Sequence, residues 1–294
     1  MTDMIKLPTP LPFGAESSPR FLLLNSAEVD EALWEDLHSI PVVPEESPYP
    51  ASLFPVLVDN EKLDDDLREQ VHERVDLWER EIGSRFALAA LDSPGNAEDV
   101  VAHLARMMKV QSPKGNADIL CYYDPWIFRH LQGWLFYPDQ MQALLGPVKT
   151  WHWREPDGSW QKYTSPAFAD SGTRTLRLWK EQWPSLQRME ELHPVLKELA
   201  STDAALAWKA ETARQADMLL GIAKDKYGLK EPSDRFLFAL QALKFHPDIH
   251  SHPVLQVRLK QFSDKNISYV NECSGMDDAV MKKYASELPA HAHA

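Results

Sequence analysis

The sequence contains little cysteine and little glycine, and it has no long apolar run. Its 294 residues include 11 glycines and only two cysteines, Cys121 and Cys273. Two cysteines cannot form a disulfide framework, and their scarcity favours a reducing compartment. No segment approaches the roughly 18 consecutive apolar residues of a membrane span, and the N-terminus lacks the basic and apolar regions of a signal peptide. These absences predict a cytoplasmic protein with no membrane insertion of its own.

Several enzyme signatures are also missing. The sequence has no Gly-rich phosphate loop, no Gly-x-Ser-x-Gly, no His-Glu-x-x-His and no Cys-x-x-Cys. Catalytic groups can still assemble from distant positions, so these absences weaken the case for an enzyme without closing it. We predict a non-catalytic protein without a cofactor, and we keep an enzyme of unrecognised type as the alternative.

The charge is unevenly distributed along the chain. Residues 1–150 carry 12 basic and 25 acidic side chains, whereas residues 151–294 carry 19 of each. The whole net charge of −13 therefore lies in the first half. Such a surface repels a phosphate backbone, which argues against nucleic-acid binding. It either steers a basic partner or only keeps the protein in solution.

Short apolar runs alternate with helical patterns in the first half. The runs are "RFLLLN" (20–25), "VLVD" (56–59), "FALAALD" (86–92) and "DILCYYD" (118–124), and a helix is predicted after each of them. A helix over 138–145 and a hairpin built around Pro-Asp-Gly-Ser complete the pattern. This alternation predicts an α/β lobe, with a largely parallel mixed sheet flanked by helices and closed by the hairpin.

Composition and periodicity divide the chain into three parts. Residues 1–20 contain four prolines and no periodicity, which predicts a flexible N-terminal arm. Residues 21–165 form the predicted α/β lobe. Residues 175–290 show only the spacing of amphipathic helices, which predicts an all-α C-terminal lobe.

The junction of the fourth run with its helix reads Tyr-Asp-Pro, with an arginine four residues later. An Asp before a Pro is the expected N-cap and first position of a helix, so a structural role is the first interpretation of Asp124. Arg129 is one turn further and pairs either with Asp124 or with an incoming carboxylate. In the enzyme alternative, Asp124 and Arg129 face a pocket with His130 or His152.

Three histidines lie within seven residues, in "FHPDIHSHP". Imidazoles at this spacing can share Zn²⁺ or Ni²⁺, but no cysteine or second cluster completes a ligand set around His246, His250 and His252. We predict no metal site here.

Seven of the ten tryptophans lie between residues 126 and 183. Large aromatic side chains bury most of their area in a core, and the same side chains line grooves that hold apolar peptide segments. Trp151 and Trp153 share one face of the predicted hairpin, opposite His152. Both interpretations stay open for five candidate partner-binding residues: Trp134, Phe136, Trp151, Trp153 and Trp160.

Residues 20–160 resemble the DUF4123 domain, which occurs in adaptor chaperones of type VI secretion effectors. The most specific segment of the resemblance is Tyr-Asp-Pro-x-x-x-Arg, and a later Leu-Gly-Pro-Val is similar to a second family segment. The matching family residues are Tyr123, Asp124, Pro125, Arg129, Gly146 and Pro147. The stretch 41–55 is shorter and richer in proline than the corresponding loop of the family.

The resemblance implies an adaptor that binds a cognate toxin, often at its N-terminal or hydrophobic segment, and helps load it onto the VgrG spike protein. The family pattern contains no catalytic residues, so it implies none here. We expect a groove between the two lobes to hold the apolar effector segment, and the acidic first lobe to meet a second partner.

Overall fold

The computed structural model describes residues 19–166, 176–265 and 268–289. The chain divides into two compact units, Met1–Lys180 (unit 1) and Glu181–Ala294 (unit 2). The predicted N-terminal arm, residues 1–20, lies almost entirely outside the described residues. The stretch between the two predicted lobes lies largely outside them as well.

Unit 1 is built on a six-stranded sheet with the strand order β2-β3-β1-β4-β7-β8. A separate two-stranded sheet pairs β5 with β6. The strands are β1 (Phe21–Leu24), β2 (Ile40–Pro41), β3 (Val56–Asp59), β4 (Ala87–Asp92), β5 (Lys109–Gln111), β6 (Ala117–Ile119), β7 (Thr150–Arg154) and β8 (Trp160–Thr164).

The prediction of a largely parallel sheet is wrong, because every pair of neighbouring strands is antiparallel. Strand β1 lies between β3 and β4 and runs opposite to both of them. The alternation of strands and helices along the chain does not fix which strands become neighbours. A continuous apolar run indicates that a strand is buried on both faces of the sheet, but it does not indicate the direction of its neighbours. Strands β1 and β3 are buried throughout their length, yet they are antiparallel.

The described residues of unit 1 form four α-helices, and the predictions of these four helical segments are confirmed. They are α1 (Asp65–Glu81), α2 (Ala97–Met108), α3 (Pro125–His130) and α4 (Pro138–Leu145). Asp64 caps α1 by accepting from the Leu67 N–H (2.8 Å), and Asn96 caps α2 by accepting from the Asp99 N–H (2.7 Å). Val71 of α1 packs against the core on one face of the sheet.

The predicted helix after β1 is wrong. Two short 3-10 turns, Glu31–Leu33 and Glu35–Leu37, occupy its place. The sequence places Ser26 as the cap of that helix, but its hydroxyl donates to the Phe54 carbonyl (2.5 Å), and Asp30 instead accepts from the Ala32 N–H (3.1 Å). The apolar side chains Val29, Leu33 and Leu37 nevertheless pack inward.

The predicted strand over 118–124 is also wrong beyond its first residues, because only Ala117–Ile119 pairs, and it pairs with β5. The apolar run continues because Leu120 and Tyr122 are buried, and the Tyr122 hydroxyl donates to the Leu104 carbonyl (3.1 Å). Burial beneath α2 therefore explains a pattern that is typical of a strand.

The described residues of unit 2 form helices and no strand, as their periodicity predicts. The α-helices are α5 (Trp183–Gln187), α6 (Met189–Thr202), α7 (Ala204–Ala207), α8 (Ala210–Asp225), α9 (Pro232–Lys244), α10 (Pro253–Lys265), α11 (Tyr269–Glu272) and α12 (Asp278–Ser286). Leu196, Leu220 and Phe238 are fully buried among them. No helix in the described ranges is long and apolar enough to cross a membrane.

Candidate functional site

The Tyr-Asp-Pro segment forms the entry to α3. Asp124 is the N-cap, and its Oδ1 accepts from the Trp126 N–H (2.7 Å), while buried Pro125 takes the first helical position. The hydroxyl of half-buried Tyr123 is hydrogen-bonded to the Cys121 thiol, and burial raises the pKa of the Tyr123 hydroxyl. The structural interpretation of Asp124 as a helix cap is confirmed.

Arg129 of α3 forms an ion pair with Glu155, at the end of β7. Its Nη2 lies 3.2 Å from Glu155 Oε2, and both side chains are largely buried. The Arg129 guanidinium also lies 5.7 Å from the Trp126 ring centroid, and the Trp153 indole N–H donates to Glu155 Oε1 (2.8 Å). These contacts attach α3 to the hairpin of β7 and β8.

Arg85 lies near this ion pair, and Arg154 precedes Glu155 at the end of β7. Arg85 Nη1 donates to the Arg154 carbonyl (2.9 Å), and Arg154 Nη1 pairs with Glu79 of α1. Burial lowers the pKa of the Arg85 guanidinium, and the charges of Asp124 and Glu155 oppose that change. Burial lowers the pKa of Arg129 as well, and Glu155 again opposes it. Arg85, Arg129, Asp124 and Glu155 are therefore a compensated set of opposite charges that joins α3 to the hairpin. The Arg154 side chain lies on the other face of β7, where its pair with Glu79 joins the hairpin to α1.

We expect Asp124→Ala to lower the free energy of unfolding by about 0.5–2 kcal/mol, because the Trp126 N–H loses its acceptor at the positive end of α3. The matched control is Asp124→Asn, which keeps an oxygen acceptor at the cap. Urea unfolding followed by tryptophan fluorescence measures both variants. An alanine variant with an unchanged midpoint would contradict the structural role.

Three of the five candidate partner-binding aromatic residues belong to the core. Trp151 is fully buried and stacks on Phe128 of α3, with ring centroids 4.8 Å apart. Trp153 and Phe136 are buried as well. The expected wall of exposed ring edges is therefore corrected: Trp151 and Trp153 pack against Phe128 of α3, and the core interpretation applies to all three buried residues.

The other two candidates, Trp134 and Trp160, are partly exposed. The Trp134 indole N–H donates to His130 Nδ1 (3.1 Å), one turn earlier on the same segment. Trp160 begins β8 and packs on the core cluster beneath α1. The structure does not bring the five candidates together into one aromatic surface.

The groups of the enzyme alternative lie on two faces of the sheet. Asp124 and Arg129 lie on the face that packs against Trp151 and α3. His152 alternates with Trp151 along β7, and its Nε2 lies 3.5 Å from Asp92 Oδ2 on the opposite face. Burial lowers the pKa of His152, and the Asp92 carboxylate opposes that change. The sheet therefore separates His152 from Asp124 and Arg129, whereas His130, the other histidine of this alternative, is buried at the end of α3.

The Leu-Gly-Pro-Val segment ends α4 against a buried histidine. Gly146 has φ +51°, and a Cβ atom there would lie 2.1 Å from His103 Cε1. His103 Nε2 donates to the Leu144 carbonyl (2.9 Å), and its Nδ1 accepts from Arg106 (3.1 Å), which fixes the neutral tautomer. The Pro147 carbonyl accepts from the Ser93 hydroxyl (2.8 Å). Only glycine fits position 146.

The three histidines of the predicted cluster contact different partners. His246 Nε2 lies 3.1 Å from the Pro289 carbonyl, His252 Nε2 lies 3.0 Å from Glu287 Oε2, and His250 stacks on Phe238 at 3.5 Å between centroids. Among the described residues no group of three or more His, Cys, Asp or Glu side chains is placed to hold a metal ion.

We expect the stability of the protein to fall as the pH decreases from about 6.5 to about 4. Burial lowers the pKa of His103 to about 4 and that of His250 to about 3. In this pH range both histidines are therefore protonated in the unfolded chain and neutral in the folded chain. Each histidine contributes a slope of about 1.4 kcal/mol per pH unit. His250→Gln removes one of the two titrating imidazoles. We therefore expect the unfolding free energy of this variant, measured with urea at several pH values, to fall less steeply with decreasing pH than that of the wild type. An unchanged slope would contradict the buried neutral state of His250.

The comparisons with known proteins add no relative. No family model matches the chain, and no curated protein or solved structure matches it either. The resemblance described above rests on the sequence segments quoted for it. Sequence reasoning did not find Glu155, Arg85 or Glu79, because the partner of a buried charge is set by tertiary packing and not by spacing.

Proposed function

We propose that this chain is an adaptor chaperone that binds a cognate type VI secretion effector in the cytoplasm and helps load it onto the VgrG spike protein. The observation that carries the proposal is the Tyr-Asp-Pro-x-x-x-Arg segment, together with the Leu-Gly-Pro-Val segment that follows it. Both segments belong to the part of the chain that resembles the adaptor family.

The placement of these residues supports a scaffold role. Asp124 caps α3, Arg129 joins α3 to Glu155, and Gly146 lets α4 end against His103. Each side chain or backbone conformation serves the packing of unit 1. Because these residues hold the fold, the proposed partner recognition uses other surfaces of unit 1.

The charge of unit 1 supports a second partner. Helix α1 carries exposed acidic side chains along its length, at Asp65, Asp66, Glu69, Glu73 and Glu81. Such a surface raises the association rate of a basic protein and loses this effect as salt screens it, with a Debye length of about 8 Å at physiological ionic strength. We propose that the acidic surface meets a basic region of the spike, which leaves the rest of unit 1 to the effector.

Co-expression tests the proposal. The tagged chain is produced with the product of each neighbouring gene in turn, purified by the tag, and passed over a size-exclusion column. We expect one of these products, the effector, to elute together with the chain and to be less soluble when it is expressed alone. A product of an unrelated operon serves as the control. Failure of every neighbouring product to co-purify would contradict the adaptor function.

A further inference from the structure

Strand β8 forms one edge of the six-stranded sheet, and among the strands of the described residues it pairs only with β7. The Ser165 N–H donates to the Lys149 carbonyl (2.9 Å), and the Glu155 N–H donates to the Ser159 carbonyl (2.7 Å). Because antiparallel pairs alternate between bonded and non-bonded, Gln161 and Tyr163 direct their backbone groups towards β7. The backbone N–H and C=O groups of Lys162 and Thr164 therefore point away from the sheet.

The side chains of β8 give this edge two different faces. Lys162 and Thr164 are exposed on the face that also carries His152, whereas half-buried Tyr163 lies on the face of Trp151. An added strand would place one residue opposite Lys162 and its sequence neighbour close to the Tyr163 ring. The edge therefore favours a strand that alternates a carboxylate with an apolar or β-branched residue.

We propose that an extended segment of the effector adds to β8 as a seventh, antiparallel strand, with a carboxylate opposite Lys162 and a β-branched or aromatic residue against Tyr163. The inference rests on the proposed function and names the surface that performs it. A second copy of the chain is the wrong occupant, because symmetric antiparallel pairing centred on β8 places Lys162 opposite Lys162 of the other copy. A lysine on an edge strand opposes such self-association.

The test uses a proline at an outward-facing position. Lys162→Pro removes a backbone N–H that no β7 carbonyl accepts, so the sheet keeps its own hydrogen bonds while the edge loses a donor. Gln161→Pro is the matched control for the fold, because it removes an N–H that faces β7. We expect the proline variant at 162 to keep the wild-type melting temperature and to bind the product of the adjacent toxin gene at least tenfold more weakly. Lys162→Glu weakens binding through the side chain, and Lys162→Arg retains it.

Hydrogen exchange provides a second measurement that does not depend on folding of the proline variant. In the wild-type complex with the same toxin, the amides of Lys162 and Thr164 become protected, whereas those of Gln161 and Tyr163 are already protected in the free chain. Wild-type binding by Lys162→Pro, or no new protection at 162 and 164, would overturn the edge inference and leave the adaptor function intact. Failure of the wild-type chain to bind the toxin overturns both. A wild-type dimer abolished by Lys162→Pro would show that β8 pairs with a second copy.

Discussion

Gly146→Ala is expected to lower the free energy of unfolding by about 3–5 kcal/mol. The new Cβ atom would lie 2.1 Å from His103 Cε1 and 2.5 Å from its Nε2. The backbone at this position has φ +51° and ψ −109°, a conformation that side chains strongly disfavour. The imidazole must move, and its hydrogen bond to the Leu144 carbonyl is lost with it.

A matched glycine separates the clash from the backbone strain. Gly115 has φ +83° and no atom within 4 Å of the position of an added Cβ. Gly115→Ala therefore carries only the strain of the left-handed region, about 1–2 kcal/mol. Chemical denaturation of both variants measures the difference. Equal destabilisation of the two alanine variants would contradict the packing of His103 on Gly146.

Arg235→Ala is expected to lower the free energy of unfolding by about 3–5 kcal/mol. Arg235 of α9 binds Glu191 of α6 through two hydrogen bonds of 2.6 and 2.8 Å. The same guanidinium donates to the carbonyls of Leu229 and Lys230. Removing it leaves a largely buried carboxylate and two carbonyl groups without their donor.

An exposed ion pair of the same chemistry is the control. Arg214 pairs with Glu211 at 3.3 Å, and both side chains are about two-thirds exposed. Arg214→Ala is therefore expected to change stability by about 0–1 kcal/mol. Arg235→Lys tests geometry, because a lysine keeps the charge but cannot form both hydrogen bonds to Glu191. The two alanine variants are compared by urea unfolding, and similar losses from both would contradict the dominance of the buried pair.

Helix positions could be predicted from the sequence where an apolar stripe extends over several turns. In α1 the spacing of Leu67, Val71 and Val75 indicates the same helix that the structure contains. After β1 the stripe of Val29, Leu33 and Leu37 is present, but short turns bury it equally well. The inward positions could therefore be predicted even where the type of helix could not.

The direction of the strands could not be predicted, because it depends on which strands become neighbours. Strand β1 enters between β3 and β4, and no local pattern encodes that choice. Of the candidate site, the helix-capping role of Asp124 followed from local chemistry. The pairing of Arg129 with Glu155 joins residues 26 positions apart, and the burial of Trp151 depends on how α3 lies on the sheet.

Secretion of the proposed effector, a product of a neighbouring gene that co-purifies with this chain, tests the adaptor function most directly. The gene of this chain is deleted from its native strain, and the toxin is quantified in the cytoplasm and in the culture supernatant, with the spike protein as a secretion control. The proposed function predicts that the toxin disappears from the supernatant while the spike is still secreted, and that the wild-type gene restores delivery. A toxin that stays soluble and is secreted normally without this chain would contradict it.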